Sequence, residues 1–420
     1  VGCTPAQRAP APDTTSVTEP RVTESAASDS TPPVEAATYE PGSFGDDVAF
    51  MNEHTRIEVL RDASGARVAV APEYQGRVMT SSAEGDAGLS FGWIHRPVIA
   101  SRAQQPHMTV LGGEDRFWLG PEGGQYGLYF PPGAPFEFAY WQVPAPIDWG
   151  PFSVLRQNDQ EIAFEKSMQL VNHSGTRFEL SVRRTVRLLA PSTLGLPTQR
   201  GVHVVAFETE NVIKNTGQSA WTKKGGLLSI WILGMFRPSD MTTLVFPVQK
   251  GPTNVLGPAV RDDYFGAIPR DRLRANDSHV FFRGDGKQRG KIGIPRARAL
   301  PSAGSYDAAR GVLTLVQFTL PDTARDYVDS RWRWQSSPYD GDVSNGYNDG
   351  PPAPSEPPLG PFYEIESSSP AVELGPGQSL AHRHRTIHLA GERNSLDAAC
   401  RAELGVSLDE VEHAFEGNAP

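Results

Sequence analysis

The sequence predicts an all-β protein in which two large antiparallel sheets pack face to face, followed by a short C-terminal helical segment. Three observations carry this expectation. Short runs of alternating apolar and polar residues recur along the chain, and a period of two is the signature of a half-buried strand. Glycine (41) and proline (37) are frequent among the 420 residues, as many turns between short strands require. No run of core quality at helical spacing precedes Asn394. A β sandwich of this length can form one domain, and 38% hydrophobic residues with 8 Trp, 19 Phe and 11 Tyr can fill its core.

Taken in order, the chain opens "VGC", a small residue directly before Cys3, which is the tail of a bacterial lipobox or an incidental cysteine. The hydrophobic stretch of a signal peptide that would decide lies upstream of this sequence. Residues 1–45 are rich in Pro, Ser, Thr, Ala and Glu and nearly free of large apolar side chains. Such a segment buries too little surface to offset its ordering entropy and reads as a disordered tether behind a lipid anchor at Cys3. That places the protein in the bacterial cell envelope, on a periplasmic or outer-membrane surface.

A single domain is expected over residues 46–420. "TRIEVL" and "ARVAVA" flank "RDASG" as a hairpin. Further strands are expected at "VLRQN", "EIAFEKSMQLVN", "RFELSVRRTVRLL", "GVHVVAFETENVIKN", "GLLSIWILGMF", "MTTLVFPVQ", "HVFFRG", "VLTLVQFTL", "PFYEIESSS" and "HRHRTIHLAG". Helices are expected at "NSLDAACRAEL", capped by Asn394 or Ser395, and at "SLDEVEHAFEG", capped by Ser407. Cys400, in the first, reads as a buried small hydrophobe. The net charge of −10 excludes a general nucleic-acid binder, whose phosphate contacts need a basic face.

Several stretches concentrate chemistry. "GGEDRFWLGPEGGQYGLYF", residues 112–130, reads as a loop in which Glu114, Asp115, Arg116 and Glu122 are interleaved with Phe117, Trp118 and Tyr126. It forms either a structural turn with self-paired charges or a polar site floored by aromatics. "YDGDVSNGYNDGPP" gathers Asp340, Asp342, Asn345, Asn348 and Asp349 among glycines, where a tight loop of oxygen ligands suits Ca2+ and Asx-turns explain it equally. In "FYEIESSS", Glu364 and Glu366 share one strand face, odd for a core and ordinary for a site. His382, His384 and His388 share a face of the last strand and read as a solvated edge rather than a zinc site. His95 and His107 lie upstream of the acidic loop, where an imidazole near it would serve as a general acid. The basic run "RGDGKQRGKIG" supplies Arg283, Lys287, Arg289 and Lys291, and seven of the eight tryptophans, Trp93, Trp118, Trp141, Trp149, Trp231, Trp332 and Trp334, are more than core packing alone should need.

In this order, "GGEDRFWLGPEGG", "GLLSIWILGMF", "KIGIPRARALPSAGSYD", "GDVSNGYNDGPP" and "FYEIESSSPAVELGPGQS" resemble the galactose mutarotase-like β-supersandwich. More closely, they resemble an uncharacterised bacterial lipoprotein family with that fold, over roughly residues 46 to 415. Aldose 1-epimerases of this superfamily use a His as general acid on the ring oxygen and a late-strand Glu as general base on the anomeric hydroxyl. The resemblance therefore implies Glu366 as base, with Glu364 the second choice. Where the pattern holds its mid-chain His, this chain has Ser229 and Trp231. The acid role then falls to His107, His95 or Glu122. The implied function is aldose epimerase-related chemistry on a sugar or glycan outside the cytoplasm. Glu114, Asp115, Arg116, Trp118, Glu122 and Trp231 would bind the substrate, with no required cofactor and Ca2+ left open. The other implied readings are a non-catalytic glycan-binding lipoprotein and, by fold analogy alone, a glycan lyase or hydrolase.

Overall fold

The structure is a computed structural model that describes residues 38–197, 201–352 and 356–416. Cys3 and the expected tether lie outside the described residues. Among the described residues eighteen strands are present: β1 (Glu58–Arg61), β2 (Arg67–Ala71), β3 (Arg77–Ser82), β4 (Arg116–Gly120), β5 (Ser153–Gln157), β6 (Glu161–Val171), β7 (Arg177–Leu188), β8 (Val202–Asn215) and β9 (Ser229–Phe236). The second half adds β10 (Thr242–Pro247), β11 (Leu273–Ala275), β12 (His279–Arg283), β13 (Gly290–Pro295), β14 (Ser302–Asp307), β15 (Val312–Phe318), β16 (Asp342–Asn348), β17 (Tyr363–Ser368) and β18 (Ser379–Gly391). A ten-stranded sheet has the order β11-β12-β10-β14-β15-β18-β8-β7-β6-β5, a five-stranded sheet the order β13-β16-β17-β9-β4, and β1-β2-β3 form a third. Pairing within each sheet is antiparallel. Every expected strand is formed. Two stretches read as loops are partly strand: "RFWLG" is β4 and "DVSNGYN" is β16.

Alternation decides which way each side chain of the five-stranded sheet points. Ile292 and Ile294 of β13, Ile365 of β17, Ile230 and Ile232 of β9 and Phe117 and Leu119 of β4 face inward. There they join core clusters with Leu244, Phe246 and Val316 on one side and with Phe178, Val182 and Phe207 on the other, all from the ten-stranded sheet. Each such fully buried side chain contributes about 1.5–3 kcal/mol.

A polar layer runs through this interface. Arg184 of β7 donates to Asp115 Oδ1 at 2.6 Å, to Asn211 Oδ1 at 2.7 Å and to the Gly76 carbonyl at 2.9 Å. Asp115 Oδ2 accepts from the Thr209 hydroxyl at 2.8 Å. The three histidines of β18 also belong here, correcting the expectation of a solvated edge: His382, His384 and His388 are 0%, 0% and 1% exposed. The reason is topological. β18 sits between β15 and β8 at the middle of its sheet, so its even-numbered face meets the five-stranded sheet. His382 Nε2 and His384 Nδ1 both hydrogen-bond the Ser367 hydroxyl at 2.8 Å, and burial depresses them to about 3 and about 4, so both are neutral. His388 bridges Thr314 and Glu114, each at 2.9 Å.

The C-terminal helices cover part of the ten-stranded sheet. Arg393–Leu404 packs Leu396, Ala399, Cys400 and Leu404 onto Leu313, Leu315, Ile387 and Leu389, and burial pushes the Cys400 thiol up to about 12. This helix begins at the cap position Glu392, two or three residues before the expected Asn394 or Ser395, while Ser407 caps Leu408–Glu412 through a reciprocal capping box with Glu410. A further helix, Phe44–Asn52, is capped by the Ser43 side chain and anchored by buried Phe44 and Met51. Its brevity hid it from a search for helical periodicity. Among the described residues no helix is long and apolar enough to cross a membrane.

The Arg184–Asp115 pair is wholly enclosed, so removing one partner strands a buried charge. Arg184→Met is expected to cost about 3–5 kcal/mol, read from the urea midpoint. A loss below about 1 kcal/mol would show that the interface relaxes around the vacancy.

Candidate active site

The opposite face of the five-stranded sheet is where the chemistry gathers. The same register that sends isoleucines inward sends Arg116 and Trp118 of β4, Trp231 of β9, Glu364 and Glu366 of β17, Asn345 and Tyr347 of β16 and Lys291 of β13 outward. Loops cover this face, so even its charged groups are buried.

Glu366 is at the centre and is 0% exposed. Its Oε2 accepts from Trp231 Nε1 at 2.9 Å and from Lys291 Nζ at 3.2 Å, whereas its buried Oε1 has no hydrogen-bond partner. The Lys291 ammonium lies 4.7 Å over the Trp231 ring and 5.6 Å from that of Tyr264, a cation–π setting that holds it without a second carboxylate. Beside it, Glu364 accepts from Arg116 at 3.0 Å, and that guanidinium stacks 3.9 Å from the Trp118 ring. Burial raises Glu364 to about 7, against the pull of Arg116 and reinforced by Glu366. The Trp118 Nε1, Arg116 Nε and Ser229 hydroxyl on this face are likewise buried without partners. Buried polar groups are normally satisfied, and four orphans on one face mark a place prepared for something polar.

Glu122 approaches from the loop after β4. Its Oε1 accepts from two indoles, Trp141 Nε1 at 2.9 Å and Trp332 Nε1 at 3.0 Å. Trp332, Trp141, Tyr129 and Trp231 form a continuous aromatic wall from Glu122 to Glu366, with centroid separations of 5.8, 6.2 and 6.5 Å. Beside Lys291 lies a small cleft, with enclosed room for about one water molecule, lined by Trp231, Tyr264, Lys291, Ser330, Asp342 and Asn345. Asp342 accepts from the Tyr264 hydroxyl at 2.6 Å, and burial raises it to about 6.

The structure thus brings together Glu366, Glu364, Arg116, Trp118, Glu122 and Trp231. Of the other singled-out residues, Asp342 and Asn345 line the cleft and the rest lie elsewhere. Glu114 accepts from the Ser81 amide at 2.6 Å and meets His388, and Asp115 holds Arg184, so both face the interior. The glycines before them are needed for that burial. Gly112 and Gly113 have φ of +87° and +109°, and a Cβ on Gly112 would lie 2.1 Å from the Trp93 carbonyl oxygen. His95 bonds the Val110 carbonyl and packs on Trp93. His107 bonds the Trp141 carbonyl and packs on Phe138 and Trp141.

The five residues read as a calcium loop are distributed over both faces of β16 and beyond both its ends. Asp340 and Asp342 meet Arg261, Asn345 donates to the Ile292 carbonyl, Asn348 accepts from the Gly286 amide, and Asp349 accepts from Tyr347 and Gly360. Sequence reasoning missed Lys291 as a site residue. The signal was present in "KIGIP", where period two sets Lys291 on the face opposite Ile292 and Ile294.

The sequence profile described as "Family of unknown function (DUF6786)" matches residues 42–415, and the chain belongs to that family. No curated protein matches it. Among solved structures it is similar to a candidate aldose 1-epimerase from Escherichia coli K12, with 12% identity and a TM-score of 0.50, covering 80% of this chain and 99% of that one. A candidate aldose 1-epimerase from Klebsiella pneumoniae shares 13% identity at a TM-score of 0.48, covering 86% and 84%. A galactose mutarotase-like protein from Lactobacillus casei shares 10% at 0.45, covering 79% and 100%. The fold is accordingly galactose mutarotase-like.

The raised Glu364 has a consequence for stability. Between its ordinary 4.5 and about 7 the folded chain holds a proton that the unfolded chain releases, so this group lowers stability as pH rises through that window. Glu364→Gln is expected to flatten the decline, measured as urea midpoints at intervals from pH 4.5 to 7. An unaltered slope would show that Glu364 ionises in the folded chain as it does in water.

Proposed function

We propose, from the premise that the chain belongs to a family with no assigned chemistry, that it is a carbohydrate-active protein performing aldose epimerase-type acid–base chemistry with Glu366 as general base. The observation that carries this reading is the division of labour between the two oxygens of Glu366: Oε2 is pinned by Trp231 and Lys291 while Oε1 is free and out of water. A carboxylate fixed in this way presents one lone pair in a set direction, as proton abstraction from a bound hydroxyl requires. Lys291 balances its charge without occupying that oxygen. The aromatic wall offers flat apolar faces to the C–H side of a sugar ring, and Ser330, Asn345 and Asp342 in the small cleft offer donors and acceptors to its hydroxyls. The mutarotase-like fold supports the substrate class by analogy only.

A second reading, glycan binding without turnover, is favoured by a different observation. Phe138, Tyr140 and Trp334 are 57%, 45% and 72% exposed. Phe138 stacks on Trp141, and Trp334 packs on Phe136, so exposed rings continue from the wall to the surface. Lipid attachment at Cys3 and residence in the cell envelope belong to both readings. Incorporation of labelled palmitate that persists in Cys3→Ala would remove that part.

The test is anomeric exchange of freshly dissolved α-D-glucose and α-D-galactose followed by NMR, with and without Ca2+. Glu366→Gln is expected to lower the catalysed rate by about 100-fold or more while sugar binding persists. Undiminished exchange in that variant would remove Glu366 from the chemistry. Saturable binding with no exchange by the wild-type chain would establish the second reading.

A further inference from the structure

We infer that Glu122 is the proton donor of this site, carrying its proton on Oε2 because two indole N–H groups occupy Oε1. The inference rests on the acid–base reading of the Glu366 cluster. A neutral carboxyl has one accepting oxygen and one donating hydroxyl, and an oxygen already taking two N–H groups has no room for the proton. Trp141 and Trp332, 2.9 and 3.0 Å from Oε1 with planes inclined by 26°, therefore select which oxygen is protonated. The backbone is fixed as well: the Glu122 amide donates to the Ser330 hydroxyl at 3.2 Å, and its carbonyl accepts from the Tyr129 amide at 3.3 Å. The charged groups facing it are Lys291 and Glu366, with the Tyr129 phenol alongside. Burial raises Glu122 above the ordinary carboxylate range, opposed by Lys291 and the indoles and reinforced by Glu366.

The proton balance closes without a co-reactant. Glu366 Oε1 takes the anomeric hydroxyl proton as Glu122 Oε2 gives one to the ring oxygen, the C1–O5 bond breaks, and the open-chain aldehyde forms. Rotation about C1–C2 and the reverse transfers then return both carboxyls to their starting states. Glu122 so fills the role left open by Ser229 and Trp231 in the mid-chain strand.

The first readout needs no sugar. In 15N–1H spectra of the whole chain, the Nε1 signals of Trp141 and Trp332 should shift together along one titration with a midpoint above 4.5, and in Glu122→Gln neither should move. Indole signals that stay fixed from pH 4 to 9 would overturn the assignment. With α-D-glucose and α-D-galactose as probes, Glu122→Gln should lower exchange by about 100-fold. Trp332→Phe, which removes one donor that favours the carboxylate, should move the alkaline limb of whatever exchange remains to higher pH. Exchange that survives in Glu122→Gln but is lost in Glu366→Gln would overturn the donor role alone. No exchange of either sugar by the wild-type chain would overturn the acid–base reading and this role with it.

Discussion

The enclosed ion pair between Arg184 and Asp115 is the constraint from which the rest of the structure follows. It joins β7 of the ten-stranded sheet to the start of β4 in the five-stranded sheet, with both side chains at 0% exposure. A buried pair of this kind adds little net stability compared with apolar packing, but it permits very few alternatives. Arg184 has donors spent on Asp115, Asn211 and the Gly76 carbonyl, and a one-residue slip of β7 or β4 would leave them unmatched inside a dry interface. Register in β4 fixes Arg116 and Trp118, and through β9 it fixes Trp231 opposite Trp118. The outer-face cluster is in this sense a consequence of an inner-face pair.

The two faces of the small sheet carry different polar chemistry. On the inner face, Arg184, Asp115, Thr209 and Asn211 answer one another, and the His382–Ser367–His384 bridge links the sheets with neutral rings. On the outer face, charges are paired while single atoms stay unanswered: Glu366 Oε1, Ser229 Oγ, Trp118 Nε1 and Arg116 Nε. Buried atoms without partners also occur on the inner side, at His382 Nδ1, His384 Nε2 and Thr386 Oγ1, so what distinguishes the outer face is that its unanswered atoms include a carboxylate oxygen.

Much of the fold was legible because antiparallel strands with one covered face alternate. The hairpin at β1 and β2 and the long strands β6, β7, β8 and β18 follow directly from the pattern. β4 and β16 were not legible, since Arg116, Trp118, Asn345 and Tyr347 put polar and bulky groups on a face that loops later bury, so neither half of the alternation looks exposed. The pairing of Glu364 with Glu366 on one face was readable from parity alone. What held each carboxylate was not, because Arg116 and Lys291 reach them from strands 248 and 75 residues away in the chain. The histidines of β18 misled for the same reason: parity placed them on one face, and only the strand order says which way a face looks.

Lys291, Trp231, Glu364 and Glu366 stand on strands of the central sheet, whereas Glu122, Trp332 and Tyr264 come from the loops that roof them. Strand positions cannot drift without breaking the ladders that hold them, but loops tolerate insertion and exchange. The architecture therefore separates a fixed reaction centre from a replaceable rim. Divergence within such a scaffold can proceed by rewriting the rim, altering what is admitted while what happens to it stays the same.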